Sequence, residues 1–239
     1  MVRAVIFDLD DTLISEKDYV VSGFRHISKM LSPVLRIDEG VIFADMLELF
    51  NNSPKNVFNR LFEKYNIKYS DKMILQLVNE YRSHFPNIKV YSDVLPCLQE
   101  LKAEGIKTGI ITDGYATAQR QKLMAIDADK YFDEIIVTDE LGREYWKPHP
   151  KAFMLMKKKL NFNYDEMIYI GDNILKDFIT SNELGIITVQ IKREDSIYSI
   201  RVIDKNYIPR FEIGSLVKLI EIISFINNGF NKEISIPQL

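Results

Sequence analysis

The stretch that most limits the fold is Val2-Arg3-Ala4-Val5-Ile6-Phe7, followed at once by Asp8-Leu9-Asp10-Asp11-Thr12. A short apolar run that ends abruptly in acids reads as a buried parallel strand delivering charge at its C-terminal end. Open α/β sheets bind ligands at that end. Asp8 and Asp10 stand two apart, so on a continuing strand they share a face. Two carboxylates ~4 Å apart, at an effective dielectric of ~20, repel by about 4 kcal/mol. Either one takes a proton or a cation sits between them. The competing reading is a plain acidic turn, which Asp favours; later segments weigh against it.

After Thr12 the apolar spacing changes from strand to helix and stays helical to about residue 85. Val20, Phe24, Ile27 and Leu31 share one helical face, and Phe43, Met46, Leu47 and Phe50 another, with Asp38 as N-cap. Ser53-Pro54 reads as the N-cap and first residue of a third helix carrying Val57, Leu61 and Tyr65. Ser70 opens a fourth, with Met73, Leu77 and Tyr81 inward. Four amphipathic helices on short links imply a bundle. Because it interrupts the chain directly after the acidic turn, it is expected to lie over that turn.

Pro86 to Val90 reads as a return hinge. Ser92 or Asp93 caps a helix to Glu104, with Gly105 as its C′ residue. Strands at 106–111, 134–137, 167–170 and 186–191 then alternate with helices, the signature of a parallel sheet. The stretch 192–209 lacks a period and reads as loop. A last helix spans 215–227, with Gly229 after it.

The chain has 239 residues, 46% of them hydrophobic, enough for a substantial core. Its net charge of -3 argues against nucleic acid as main partner, which needs a basic footprint. Cys97 is the sole cysteine, so neither an intrachain disulfide nor a cysteine zinc site is expected. A strand beginning at residue 2 leaves no room for a signal peptide. Leu216 to Ile226, interrupted by Lys218 and Glu221, is too short to span a bilayer. The expectation is a cytoplasmic protein with no membrane partner, a monomer or homodimer.

Three apolar strands end in polar clusters: Asp8/Asp10, Thr112/Asp113/Gly114 and Asp172. A parallel sheet brings such ends to one edge. Lys147 comes from a loop before another helix, its Pro148 sitting where that helix is expected to begin. Asp8, Asp10 and Asp172 concentrate negative charge that a hard divalent cation, Mg²⁺, would relieve. Thr112 offers a hydroxyl, the Asp113 and Gly114 amides open a helix, and Lys147 supplies a fixed positive charge; these suit a phosphate dianion. Asp8 could attack phosphorus as a carboxylate nucleophile. Asp10 could protonate the leaving oxygen and later take a proton from water.

Asp-Leu-Asp-Asp-Thr after the first strand, Thr112 after the second, Lys147 before a helix and Gly171-Asp172-Asn173-Ile174-Leu175-Lys176-Asp177 resemble, in order, the four motifs of the haloacid dehalogenase-like hydrolases. The resemblance runs from Met1 to about Ile191. It implies an α/β, Rossmann-like parallel-sheet core at 1–14 and 88–239 with an inserted helical-bundle cap at 15–87. It implies Asp8 as nucleophile, Asp10 as acid/base, and metal contacts from the Asp8 carboxylate, the Asp10 backbone carbonyl and Asp172. Thr112 and Lys147 would contact phosphate, and Asp177 would orient the lysine or a metal-bound water. Dehalogenating members lack an acid at the position of Asp10, so the chain resembles the phosphatase branch. The implied activity is a Mg²⁺-dependent phosphatase for a small phosphorylated metabolite, a sugar phosphate or nucleoside monophosphate.

Other readings compete at particular positions. Thr112 could be a sheet residue, Asp172-Asn173 a helix N-cap, Asp177 an exposed helical residue and His149 a turn residue. Asp113 is valued for its backbone more than its charge. Arg60 and Asn56 could reach the site or serve packing and surface. At the level of function, a phosphomutase, a phosphorylated receiver domain and a catalytically silent partner protein are the alternatives.

Overall fold

The computed structural model describes residues 1–194 and 204–228. Gly229, expected to follow the last helix, and the middle of the 192–209 stretch lie outside the described residues. The chain forms two compact units, Met1–Glu16 with Lys89–Leu239, and Lys17–Ile88.

The first unit is built on a six-stranded sheet. In chain order its strands are β1 (Ala4–Phe7), β2 (Lys107–Thr112), β3 (Glu134–Val137), β4 (Met167–Gly171), β5 (Ile187–Ile191) and β6 (Phe211–Ile213). The helices are α1 (Glu16–Leu35), α2 (Glu39–Asn52), α3 (Val57–Lys64), α4 (Asp71–Ser83), α5 (Val94–Ala103), α6 (Ala116–Ala125), α7 (Lys151–Leu160), α8 (Ile179–Glu183) and α9 (Val217–Asn227). The spatial strand order is β3-β2-β1-β4-β5-β6, with all pairs parallel.

This order sets the site. The chain leaves β1 for β2 and β3 on one side, then returns to β4, β5 and β6 on the other, so β1 lies at the switch point where such sheets bind ligands. Phe7 pairs with Ile110 on one side and Ile170 on the other. The residues that follow each strand therefore emerge side by side. β1 and β4 are buried along their whole length, as their unbroken apolar runs require. Ala4, Ile6, Met167 and Tyr169 share one face at period two and pack against Ala152, Phe153 and Met156 of α7. Each Ile, Met or Phe among them contributes about 1.5–3 kcal/mol by leaving water.

The second unit holds α2, α3, α4 and most of α1. Its core joins Val20, Phe24, Ile27 and Leu31 to Ile42, Met46, Val57, Phe58, Leu61, Phe62 and Leu77. Asp38 caps α2 through its carboxylate, and Ser70 caps α4 at the Met73 amide. Met73 itself, expected inward, is exposed, although it stands four residues before buried Leu77 on the same side of α4, in the helix's first turn. The start expected at Ser53-Pro54 is displaced to Val57, behind Asn56 in the left-handed region at φ 53. There Arg60 closes a turn: its Nε donates to the Lys55 carbonyl at 3.1 Å and its Nη2 to the Ser53 carbonyl.

In the first unit Asp93 does not cap its own helix. Burial would raise its pKa, but Arg193 and the Leu216 amide outweigh burial and hold it below the carboxylate range. Its Oδ2 accepts from Arg193 Nη1 at 2.7 Å, Ser215 Oγ at 2.8 Å and the Leu216 amide at 2.8 Å. Arg193 also donates to the Thr12 carbonyl through Nε and Nη2 at 3.2 and 2.8 Å. Residues beyond Ile191 thus supply an outer strand, a helix and a clamp on the loop after Asp8.

Candidate active site

Three strand ends and one loop meet at the C-terminal edge of the sheet. Asp8 follows β1, and its amide donates to the Ile170 carbonyl at 2.8 Å, locking it beside β4. Lys147 arrives from the loop before α7 and is fully enclosed, its side chain 0% exposed against 2% for Asp8 and 0% for Asp177. Its Nζ donates to Asp8 Oδ1 at 2.6 Å, Asp177 Oδ1 at 2.7 Å and the Tyr169 hydroxyl at 2.8 Å. The Tyr169 hydroxyl in turn donates to Asp177 Oδ1 at 3.1 Å. Burial alone would push the Lys147 ammonium down; Asp177 and Asp8 outweigh it and hold its pKa well above the ordinary range.

Asp172 completes the group: carboxylate oxygens of Asp8, Asp172 and Asp177 all lie within 4.8 Å of one another. Burial, then the charges of Asp8 and Asp177, pushes the Asp172 carboxyl up to about 9. Burial likewise raises Asp8 to about 6, against the pull of Lys147. Against three ionised carboxyls stand the ammoniums of Lys147 and Lys176, one charge short of balance. Oxygen donors crowded this closely fit a hard divalent ion such as Mg²⁺, which would offset the burial and the repulsion that otherwise hold Asp172 protonated.

Two glycines give these side chains room. A Cβ at Gly171 would lie 2.4 Å from Asp177 Oδ2 and 2.6 Å from Cγ, so the Asp177 carboxyl packs directly on bare backbone. Gly114 has φ +130, and a Cβ there would meet Gln119 Nε2 at 2.4 Å.

Thr112 ends β2 with its hydroxyl buried and without a hydrogen-bond partner among the described residues. Such an orphan costs about 1–3 kcal/mol, which a phosphate oxygen would offset. The Asp113 carboxylate, expected to matter less than its backbone, is used: its Oδ1 accepts from Thr138 Oγ1 at 2.7 Å and from the Lys147 amide at 3.1 Å, fixing the lysine loop. Gly114 and Asp113 precede α6 rather than open it; the helix begins at Ala116, whose amide donates to Asp139 Oδ2 at 2.8 Å.

Several local expectations change. α7 begins at Lys151, after Pro148 and Pro150, so Pro148 lies in the loop and not at the helix start. α8 begins only at Ile179, so Asp172 and Asn173 do not cap it. Asn173 instead closes its own turn, Oδ1 accepting from the Leu175 amide at 3.0 Å. Asp177, which could have been exposed, is fully buried in that turn and accepts the Asn173 amide at 2.9 Å. His149 is a turn residue, its Nδ1 accepting from the Lys151 amide at 3.1 Å. Arg60 and Asn56 belong to the other unit, as the fold describes.

The Asp10 side chain is bound elsewhere than its neighbours' cluster. Its Oδ1 accepts from Lys122 Nζ at 2.7 Å and its Oδ2 from Gln119 Nε2 at 3.0 Å. Burial raises its pKa, yet Lys122 and Gln119 prevail and the net shift is downward. Glu16 is raised to about 7, by burial and then by the charge of Asp10. Sequence reasoning missed Gln119, Lys122 and Tyr169. Tyr169 hides in an apolar strand; Gln119 and Lys122 stand three apart on α6, a spacing that puts them on one face but does not mark that face as buried.

A sequence profile of the haloacid dehalogenase-like hydrolases matches residues 5–191. The glyceraldehyde 3-phosphate phosphatase of Methanocaldococcus jannaschii is 31% identical over 93% of this chain and 97% of its own. That of Methanopyrus kandleri is 29% identical over the same shares, 93% and 97%. A crystal structure of a HAD phosphatase from Thermococcus onnurineus superposes with a TM-score of 0.60 at 25% identity, covering 92% of this chain and 97% of that one.

Proposed function

The chain belongs to the haloacid dehalogenase-like hydrolase family, as a hydrolase acting on phosphate esters, and from that premise we propose a Mg²⁺-dependent phosphatase of small sugar phosphates working through a phosphorylated Asp8. The observation that carries the reading is the buried ammonium of Lys147 shared between Asp8 and Asp177, with Asp172 alongside. No packing need calls for three acids and a lysine at one sheet edge, because burying charge is costly even when it is paired, and such clusters concentrate at functional sites.

In the first half, an Asp8 carboxylate oxygen attacks phosphorus. The bond from phosphorus to the ester oxygen breaks, its electron pair staying on that oxygen, which takes the proton of the Asp10 carboxyl. In the second half, Asp10 as carboxylate takes a proton from water while the water oxygen attacks phosphorus. The bond to Asp8 breaks, and its electrons return to the carboxylate. Lys122 and Gln119 favour the ionised Asp10, which suits the second half; a phosphate dianion nearby favours its protonated form, as like charges do, which suits the first. Thr112, the Asp113 and Gly114 amides and Lys147 hold the transferred phosphoryl oxygens. Asp8, the Asp10 carbonyl and Asp172 would hold Mg²⁺, with Asp177 supporting Lys147; the ion supplies positive charge against the phosphate dianion. The helical stretch 15–87 takes the role of a substrate-selecting cap, a role that rests on its place between the first two motifs.

Glyceraldehyde 3-phosphate heads the candidate substrates, on the names of the relatives. Purified protein should be assayed for phosphate release from that compound, other sugar phosphates, nucleoside monophosphates and pyrophosphate. Steady release from a sugar phosphate, stopped by EDTA and restored by Mg²⁺, is the expected result. Metal-independent turnover would remove the cation, and phosphoryl return to product without net release would mark a mutase.

A further inference from the structure

Helix α6 buries two polar side chains, Gln119 and Lys122, each 3% exposed. They stand three apart, on one helical face. Enclosing an amide and an ammonium there is unfavourable unless both find partners, and apolar residues would pack as well. Both reach Asp10, one to each carboxylate oxygen, Lys122 at 2.7 Å and Gln119 at 3.0 Å. The same Gln119 Nε2 donates to the Asp113 carbonyl at 2.7 Å. Since the Asp113 carbonyl can only accept, the amide's orientation is determined, and Oε1 is left buried without a partner among the described residues. Gly114 supplies the gap that admits this amide. One carboxylate is therefore gripped at both oxygens from a single helix, and the grip is anchored to the β2 end that carries Thr112.

We propose that Lys122 and Gln119 are positioning residues for Asp10, fixing where its carboxyl group stands relative to the end of β1 so that its proton meets the leaving oxygen. This rests on the acid/base role of Asp10 given above. Neither side chain is asked to touch substrate. Misplacing a proton donor hurts most where the leaving oxygen is a strong base and least where it departs unaided.

The test is kcat/KM, which reports the step in which the ester oxygen leaves, measured with p-nitrophenyl phosphate and with the best alkyl phosphate of the substrate panel. Lys122→Met should lower the alkyl value by about 10–100-fold and the nitrophenyl value by less than about threefold, since general acid catalysis is worth roughly 10²–10⁴. Lys122→Arg should recover most of the loss. Gln119→Met should split the two substrates in the same direction by a smaller factor, and it carries the test if Lys122→Met does not fold. Asp10→Asn should show the same split, larger. Equal losses on both substrates, or no loss, in the Lys122 and Gln119 variants while Asp10→Asn still separates them would overturn the inference. If Asp10→Asn treats both substrates alike, the acid/base reading fails first and takes this inference with it.

Discussion

The two units bury opposite things. The helical unit, Lys17–Ile88, encloses aliphatic and aromatic side chains and leaves its ion pairs outside, as with Lys64, 39% exposed, between Asp45 and Glu48. The sheet unit encloses Lys147, Asp8, Asp177 and Asp172. Exposed pairs of the first kind add little, because water and side-chain entropy offset the attraction. Pairs of the second kind are costly to make and costly to break. A chain that keeps charge outside one core and inside the other is using the second core's charge for something besides folding.

Substitutions can break that contrast, in descending order of effect. Asp8→Asn should lower kcat by more than about 10⁴-fold, as loss of a nucleophile does in other hydrolases, with the circular dichroism spectrum unchanged. Retained turnover in a clean preparation would remove Asp8 from the chemistry. Lys147→Met strands Asp8 and Asp177 without their ammonium. Breaking a buried pair costs about 3–5 kcal/mol, and Tm falls about 2–4 °C per kcal/mol in a chain of this size. A Tm within a degree of the parent's would show that the buried pair does not carry the charge balance.

Asp172→Asn acts in the opposite sense. With Asp172 raised to about 9 and Asp8 to about 6, the metal-free folded state holds protons that the unfolded chain, with carboxyls near ~4, has released. Stability from these groups is therefore present at low pH and lost as pH climbs from ~4 toward 9. In Mg²⁺-free buffer at pH 8.5, Asp172→Asn should raise Tm by a few degrees, while Mg²⁺ should raise the parent's Tm more at pH 8.5 than at pH 6 and the variant's hardly at all. A parent Tm indifferent to Mg²⁺ at both pH values would contradict the ion's place among these acids. Smallest is Lys64→Met in the helical unit, which should leave Tm and kcat unchanged; thermal melts and the phosphate-release assay check both.

The sheet's parallel strands and the convergence of Asp8, Thr112, Asp172 and Lys147 on one edge were legible because buried strands read as apolar runs and their polar ends as breaks. What escaped has physical reasons too. β6 is three residues long, too short for a period to register. Ser53-Pro54 has the chemistry of a helix start, but Arg60 takes the free carbonyls there and delays the helix. Asp93 carries a capping residue's identity but is claimed by Arg193 and the start of α9, a long-range pairing that no local window contains. Tyr169, Gln119 and Lys122 escaped because each meets its partner only through tertiary packing.

The decisive measurement follows the phosphoryl group itself. Enzyme turning over its best substrate with Mg²⁺ should be acid-quenched, reduced with borohydride and mapped by mass spectrometry. Conversion of residue 8 from aspartate to homoserine, absent without substrate, is the expected result. Normal turnover with residue 8 unmodified, or homoserine formed at another aspartate, would contradict Asp8 as the attacking group.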